Sequence, residues 1–197
     1  MGPAGLPLRW IVSLVLSIAA VSWQLPGTAV ADAPVVPEPA GYRMTNFRSP
    51  VPASLAGASV VSLEQAEALA RSDEVLLVDV LPRPPKPKKL KEGTIWRPSP
   101  RHNIPGSTWL PNTGFGALSE QMERYFRESL SRLTEGDKDR KILFYCLANC
   151  WMSWNAAKRA LSLGYRRVYW FPEGTDAWTA AGLPTEPSEP LPGWEPE

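Results

Sequence analysis

Apolar and polar positions along this chain keep two different periods, and the switches between them outline a series of elements. Leu63, Ala66, Leu69 and Ala70 recur at helical spacing. Ser62 stands in front of them, with Gln65 at the reciprocal capping-box position, so a helix is expected to start there. Val75-Leu76-Leu77-Val78 is a continuous apolar run, which suits a strand covered on both faces, and it ends in Asp79-Val80. Leu81 to Pro100, rich in proline and lysine, predicts a long loop. Ile104-Pro105-Gly106-Ser107 reads as a turn leading into a short segment around Trp109 and Leu110. Ser119 to Leu133 predicts an amphipathic helix, capped by Ser119, with Met122, Tyr125, Phe126, Leu130 and Leu133 on its apolar side. A charged turn, Thr134 to Arg140, separates it from a strand at Ile142 to Tyr145. A helix from about Trp154 to Leu163 stops at Gly164, and Val168 to Phe171 forms a last apolar strand. A short helix, Asp176 to Ala181, ends at Gly182 and Pro184.

Strands alternating with helices argue for an α/β fold with a parallel sheet and helices on both faces. Sites in such sheets form at the carboxyl ends of the strands. Proline, 22 of 197 residues, is concentrated in the two ends and the long loop, where regular structure is not expected. Residues 1–31 read as a signal peptide. Arg9 supplies the positive end, Trp10 to Trp23 is uncharged and apolar, and Ala29-Val30-Ala31 suits cleavage before Asp32. The apolar run is shorter than the ~20 residues of a spanning helix, so membrane contact is expected only through the uncleaved signal. Export to a bacterial periplasm or an extracellular space is expected, the periplasm foremost, and disulfides persist in either. Residues 32–58 are a Pro-rich lead-in with an anchoring turn near Tyr42 and Phe47, residues 59–185 the folded domain, and 186–197 a Pro-rich tail. With 21 basic against 20 acidic residues, the charge gives no reason to expect nucleic acid as a partner.

Both cysteines, Cys146 and Cys150, fall between a strand end and a helix start, where backbone N–H groups and the helix dipole favour a thiolate. Cys146, at the strand end, is the candidate nucleophile. Cys150, four residues on, is a candidate resolving thiol or redox partner. A merely structural disulfide is the alternative, although so short a loop gains little entropic stabilisation. Two cysteines and one histidine, His102, fall short of a closed zinc site, so neither metal nor cofactor is expected. His102 is read as structural, or as a pH-sensitive group near the loop. Trp151 and Trp154, with Trp96 and Trp109, either wall an aromatic pocket or, as tryptophan more often does, fill the core or an interface. Lys86, Lys88, Lys89 and Lys91 form a basic surface able to steer an acidic partner.

Four stretches, in order, resemble the rhodanese-like domain. Val61-Ser62-Leu63-Glu64 to Val78-Asp79-Val80 is similar to the family's opening helix and its strand ending in Asp-Val. His102-Asn103-Ile104-Pro105-Gly106-Ser107 resembles its Gly-His-Ile-Pro-Gly-Ala turn, with Asn103 inserted and Arg101 in place of the glycine. Tyr145-Cys146 begins the active-site loop. Gly164-Tyr165 through Tyr169-Trp170-Phe171, then Glu173-Gly174 and Trp178, resembles the closing strand, glycine turn and Trp-containing helix. The resemblance implies a single domain with a parallel sheet of about five strands. It also implies a Cys146 thiolate that takes up a sulfane sulfur as a persulfide. Leu147, Ala148, Asn149, Trp151, Met152 and Ser153 would form the substrate-binding loop, and the acceptor would be a small sulfur compound or a protein thiol. The stretch Cys146 to Asn155 is similar to an exported subfamily named for pyrroloquinoline quinone (PQQ)-dependent catabolism and a CXXCW motif. That implies a setting with periplasmic PQQ dehydrogenases and c-type cytochromes as partners. Leu147 to Met152 carries no cation, and Leu81 replaces the family's usual arginine after Asp-Val. Both departures weigh against classical thiosulfate chemistry. The cation-free loop favours the competing class, a non-catalytic binding or assembly module, whereas two cysteines in the active-site loop favour an enzyme of sulfane-sulfur transfer or thiol–disulfide exchange.

Overall fold

Each apolar run becomes a strand of one parallel sheet, and each helical-period segment packs across one of its faces. The computed structural model describes residues 1–2, 35–84, 87–97 and 99–193. The expected signal peptide beyond its first two residues lies outside the described residues, as does Lys86. The elements run β1 (Ser59–Val60), α1 (Leu63–Ala70), β2 (Val75–Asp79), β3 (Arg101–Asn103), β4 (Thr108–Trp109), α2 (Glu120–Leu133), β5 (Lys141–Tyr145), α3 (Trp151–Ser162), β6 (Val168–Phe171), α4 (Gly174–Ala180) and β7 (Glu186–Ser188). The main sheet has the order β1-β6-β5-β2-β4, with every pairing parallel. The central strand β5 sets Leu143 opposite both Leu77 and Tyr169, and Tyr145 opposite both Asp79 and Phe171.

Side chains alternate across this sheet and so fill two cores. Val78, Ile142, Phe144, Val168 and Trp170 pack with Met122, Phe126 and Leu130 of α2 and with Trp154, Ala156 and Ala160 of α3. Val75, Leu77, Leu143, Tyr145 and Phe171 pack with Ala66 of α1 and Trp178 of α4. Each large apolar side chain removed from water in this way contributes about 1.5–3 kcal/mol of transfer free energy. The helix starts follow their caps. Ser62 Oγ accepts from Gln65 N at 3.3 Å while Gln65 Oε1 accepts from Ser62 N at 2.9 Å. Ser119 Oγ accepts from Met122 N at 3.3 Å.

Three features differ from the sequence pattern. Helix α3 begins at Trp151 rather than near Trp154, because extended Cys150 takes the capping position and Ser153 Oγ donates back to Cys150 O at 3.1 Å. Helix α4 begins at Gly174, two residues early. The expected tail is not free of regular structure: Glu186–Ser188 pairs antiparallel with β3, and Leu191 N donates to Trp109 O. The lead-in is fixed as well. Leu55 is buried, and Arg43 exchanges two hydrogen bonds with the Asn155 side chain.

Candidate functional site

Strand β5 delivers Cys146 to the carboxyl end of the sheet's centre, on the face covered by α2 and α3. Asp79 and Tyr145 end adjacent strands and are direct register partners. After Cys146 the chain turns through Leu147, Ala148 and Asn149. Asn149 takes φ 51, a left-handed conformation its short polar side chain tolerates. The turn returns Cys150 to a Cα–Cα distance of 6.3 Å from Cys146, and the two sulfurs form a disulfide.

Neighbouring elements hold every part of this turn. Cys146 O accepts from Thr175 N at 3.0 Å and from Thr175 Oγ1 at 3.2 Å. Gly174, at φ 55, lies so close that an added Cβ would collide with Cys146 O. Ala148 N donates to the Asp176 carboxylate at 3.1 Å. On the other side the lead-in runs along the loop. Ser49 N donates to Asn149 O at 3.1 Å, Arg48 pairs with Cys150 as an isolated antiparallel bridge, and Trp151 N donates to Phe47 O at 2.9 Å.

A cavity of about 380 Å³ opens against this disulfide. Its walls come from the lead-in (Phe47, Arg48), the two arms of the long loop (Leu81 to Pro84 and Ser99 to Arg101), Trp109, Cys150 and Met152. Cys150, 2% exposed, is the cysteine on the wall, whereas Cys146 is 0% exposed and does not line it. Of the six residues expected to bind substrate, only Met152 lines the cavity. Trp151 and Ser153 belong to the first turn of α3 and face the core, so they are helix residues and not loop residues. The Ser153 hydroxyl is already engaged by Cys150 O and by Trp170 Nε1 at 3.0 Å. Leu147 and Ala148 are half-buried and Asn149 exposed, all three outside the cavity lining. The aromatic wall is likewise narrower than expected. Trp109 lines the cavity, Trp151 and Trp154 stack edge-to-face at 5.4 Å within the core, and Trp96 is not part of the lining. His102 is exposed on β3 opposite Pro187, away from the cavity lining.

The residues the sequence pattern missed are the cavity's cations. Arg48, Arg83 and Arg101 line it from three separate segments. Each meets a carboxylate: Arg48 lies 3.8 Å from Asp176, Arg83 3.4 Å from Glu189, and Arg101 2.5 Å from Asp79. The Asp79–Arg101 pair is buried. Burial pushes the Asp79 carboxyl above its ordinary pKa, opposed by the Arg101 guanidinium and the Leu81 amide, which donates to it at 2.8 Å. Arg101 also donates to Thr175 Oγ1 at 3.3 Å, so a chain of hydrogen bonds runs Asp79–Arg101–Thr175–Cys146 O. The substitution of glycine by Arg101 at the turn was the one sequence signal pointing to it.

A family model described as "Rhodanese-like domain" matches residues 62–181. No curated protein matches the chain. Among solved structures, it is similar to an uncharacterized protein from Saccharomyces cerevisiae, at 19% identity and a TM-score of 0.39, over 64% of this chain and 93% of that one. It is similar to a polysulfide-sulfur transferase homodimer from Wolinella succinogenes at 18% identity and a TM-score of 0.41, over 66% and 80%. A thiosulfate sulfurtransferase from Pseudomonas aeruginosa aligns at 20% identity and a TM-score of 0.44, over 68% of this chain and 21% of that one.

Proposed function

From the premise that this chain belongs to the rhodanese-like domain family, which its match over residues 62–181 establishes, we propose that Cys146 and Cys150 carry out sulfane-sulfur transfer or thiol–disulfide exchange. One observation carries the reading: the two cysteines are bonded to each other at the carboxyl end of the central strand, with one of them on a cavity wall. In the reduced protein, a Cys146 thiolate attacks the outer sulfur of an organic persulfide RSSH. A Cys146 persulfide forms and RS⁻ leaves. The Cys150 thiolate then attacks the inner sulfur, closing the Cys146–Cys150 disulfide and expelling HS⁻. The dithiol supplies the two electrons that reduce the sulfane sulfur to sulfide.

The setting is read from the sequence. The stretch Cys146 to Asn155 supports membership of the exported PQQ-associated subfamily, although three residues, not two, separate its cysteines. The signal-like residues 1–31 support delivery to the periplasm. The exposed Lys88, Lys89 and Lys91 support docking to an acidic dehydrogenase or cytochrome c. A second reading, a non-catalytic module with a structural disulfide, is favoured by the near-complete burial of both cysteines.

Reduced protein mixed with an organic persulfide decides between the two readings. Release of about one sulfide per chain, with return of the disulfide, is expected from the stoichiometry of exchange. A Cys150→Ser variant should instead retain cyanolysable sulfur. If wild-type protein releases no sulfide and holds no such sulfur, sulfane-sulfur transfer is excluded, and if its disulfide also fails to exchange with thiols, the module reading stands.

A further inference from the structure

We infer that the sulfur attacked from solvent is Cys150 Sγ, and that the attacking substrate is an uncharged thiol with an apolar body, not an inorganic sulfur anion. This deepens the redox reading above and rests on it. A thiolate must approach a disulfide in line with the bond it breaks, at whichever sulfur it can reach. In the oxidised protein the cavity reaches Cys150 and not the fully buried Cys146, whereas the attack of Cys146 on a persulfide proposed above belongs to the reduced protein, in which the bond to Cys150 is open. The geometry therefore makes Cys146 the leaving group. It departs at the strand end facing the amino terminus of α3, where the helix dipole favours the thiolate it becomes.

The cavity's charge and surface select the substrate. Its three arginines each meet a carboxylate, Arg101 in a buried pair and Arg48 and Arg83 in solvent-exposed ones, so a small anion would compete with those carboxylates for every cation of the site. Phe47, Leu81, Trp109 and Met152 give it an apolar face. A dianion such as thiosulfate would lose its hydration against the apolar face and would have to displace a carboxylate to pair with an arginine. An apolar thiol instead gains from leaving water. Phe47 and Arg48 lie outside residues 62–181, so part of the selecting wall is added by this chain to the family's domain.

The step balances. The substrate thiol RSH loses its proton and RS⁻ attacks Cys150 Sγ. The Cys146–Cys150 bond breaks, an R–S–S–Cys150 bond forms, and the electron pair goes to Cys146, which leaves as a thiolate while the proton from RSH passes to solvent. A second thiol, R′SH, attacks the substrate sulfur of the mixed disulfide as R′S⁻. RSSR′ forms, and the electron pair passes to Cys150, which takes up the proton of R′SH. Two thiols are oxidised by two electrons and the protein disulfide is reduced.

The test uses the oxidised full chain with limiting benzyl mercaptan or 2-mercaptoethanesulfonate, thiols of similar acidity that differ in charge. Samples are quenched in acid, blocked with N-ethylmaleimide and mapped by mass spectrometry. The benzyl adduct is expected on Cys150 with maleimide on Cys146, forming about tenfold faster than the sulfonate adduct. An adduct on Cys146, or a sulfonate rate equal to or above the benzyl rate, overturns the inference and leaves the redox reading standing. No adduct from either thiol in the folded protein overturns both the inference and thiol–disulfide exchange, and leaves sulfane-sulfur transfer to the persulfide experiment.

Discussion

Arg101 is the residue on which the site's electrostatics turn. It is the cation facing buried Asp79, and it reaches Thr175, which holds Cys146 O. Arg101→Met should destabilise the fold by about 3–5 kcal/mol, because it leaves a buried carboxylate without its partner. Without the guanidinium, the Asp79 pKa rises further. The folded state then binds a proton the unfolded state has released, so stability falls as pH rises through that window. The deficit against wild type should be largest at pH 8 and shrink towards pH 5, as measured by urea unfolding at each pH. An equal deficit at both would mean Asp79 is not the group left exposed. Single residues also mark the limit of sequence reading. Cys146 and Cys150 were legible because they share one loop and are the chain's only cysteines. The arginines of the cavity were not, because positions 48, 83 and 101 meet only after the sheet has formed.

Among the elements, α3 does more than cover the sheet. Asn155 donates to Arg43 O at 2.9 Å and to Gly114 O at 3.0 Å, and accepts from Arg43 N at 2.9 Å. Arg159, one turn on, donates to Thr113 O at 2.8 Å and Phe115 O at 2.9 Å. The helix thus fixes two irregular segments that have no ladder of their own. Asn155→Ala should cost about 2–3 kcal/mol, since the buried Gly114 O and the half-buried N and O of Arg43 lose their partner together. Thermal unfolding by circular dichroism would register it, and a change below the error of the measurement would mean the lead-in holds without α3. The elements with a strong period or cap were readable from sequence: α1, α2, β2, β5 and β6. Strands of two or three residues, β1, β3, β4 and β7, show no period to read and exist only because a partner backbone is there.

Across the whole molecule, the family's sheet supplies the cysteine position, and the flanking segments supply much of the cavity. Phe47 and Arg48 come from before the matched residues, while Glu189 and Leu191, from after them, hold Arg83 and Trp109. The disulfide is a small part of the stability of such a structure. Its two cysteines are only four positions apart, so closing that ring contributes about 2 kcal/mol at most. Reduced and oxidised protein should therefore unfold within a few degrees of each other in matched buffers. A collapse of the fold on reduction would argue for a structural staple in place of a working bond.

The reactive bond and its shelter share a stretch of backbone: Asn149 and Cys150 are tied directly to Arg48 and Ser49. Opening the bond should loosen the turn and, through those contacts, the lead-in flap of Arg48 and Ser49 beside it. Amide exchange at Ser49 would report this directly, running faster in the dithiol form and unchanged if bond and flap are independent.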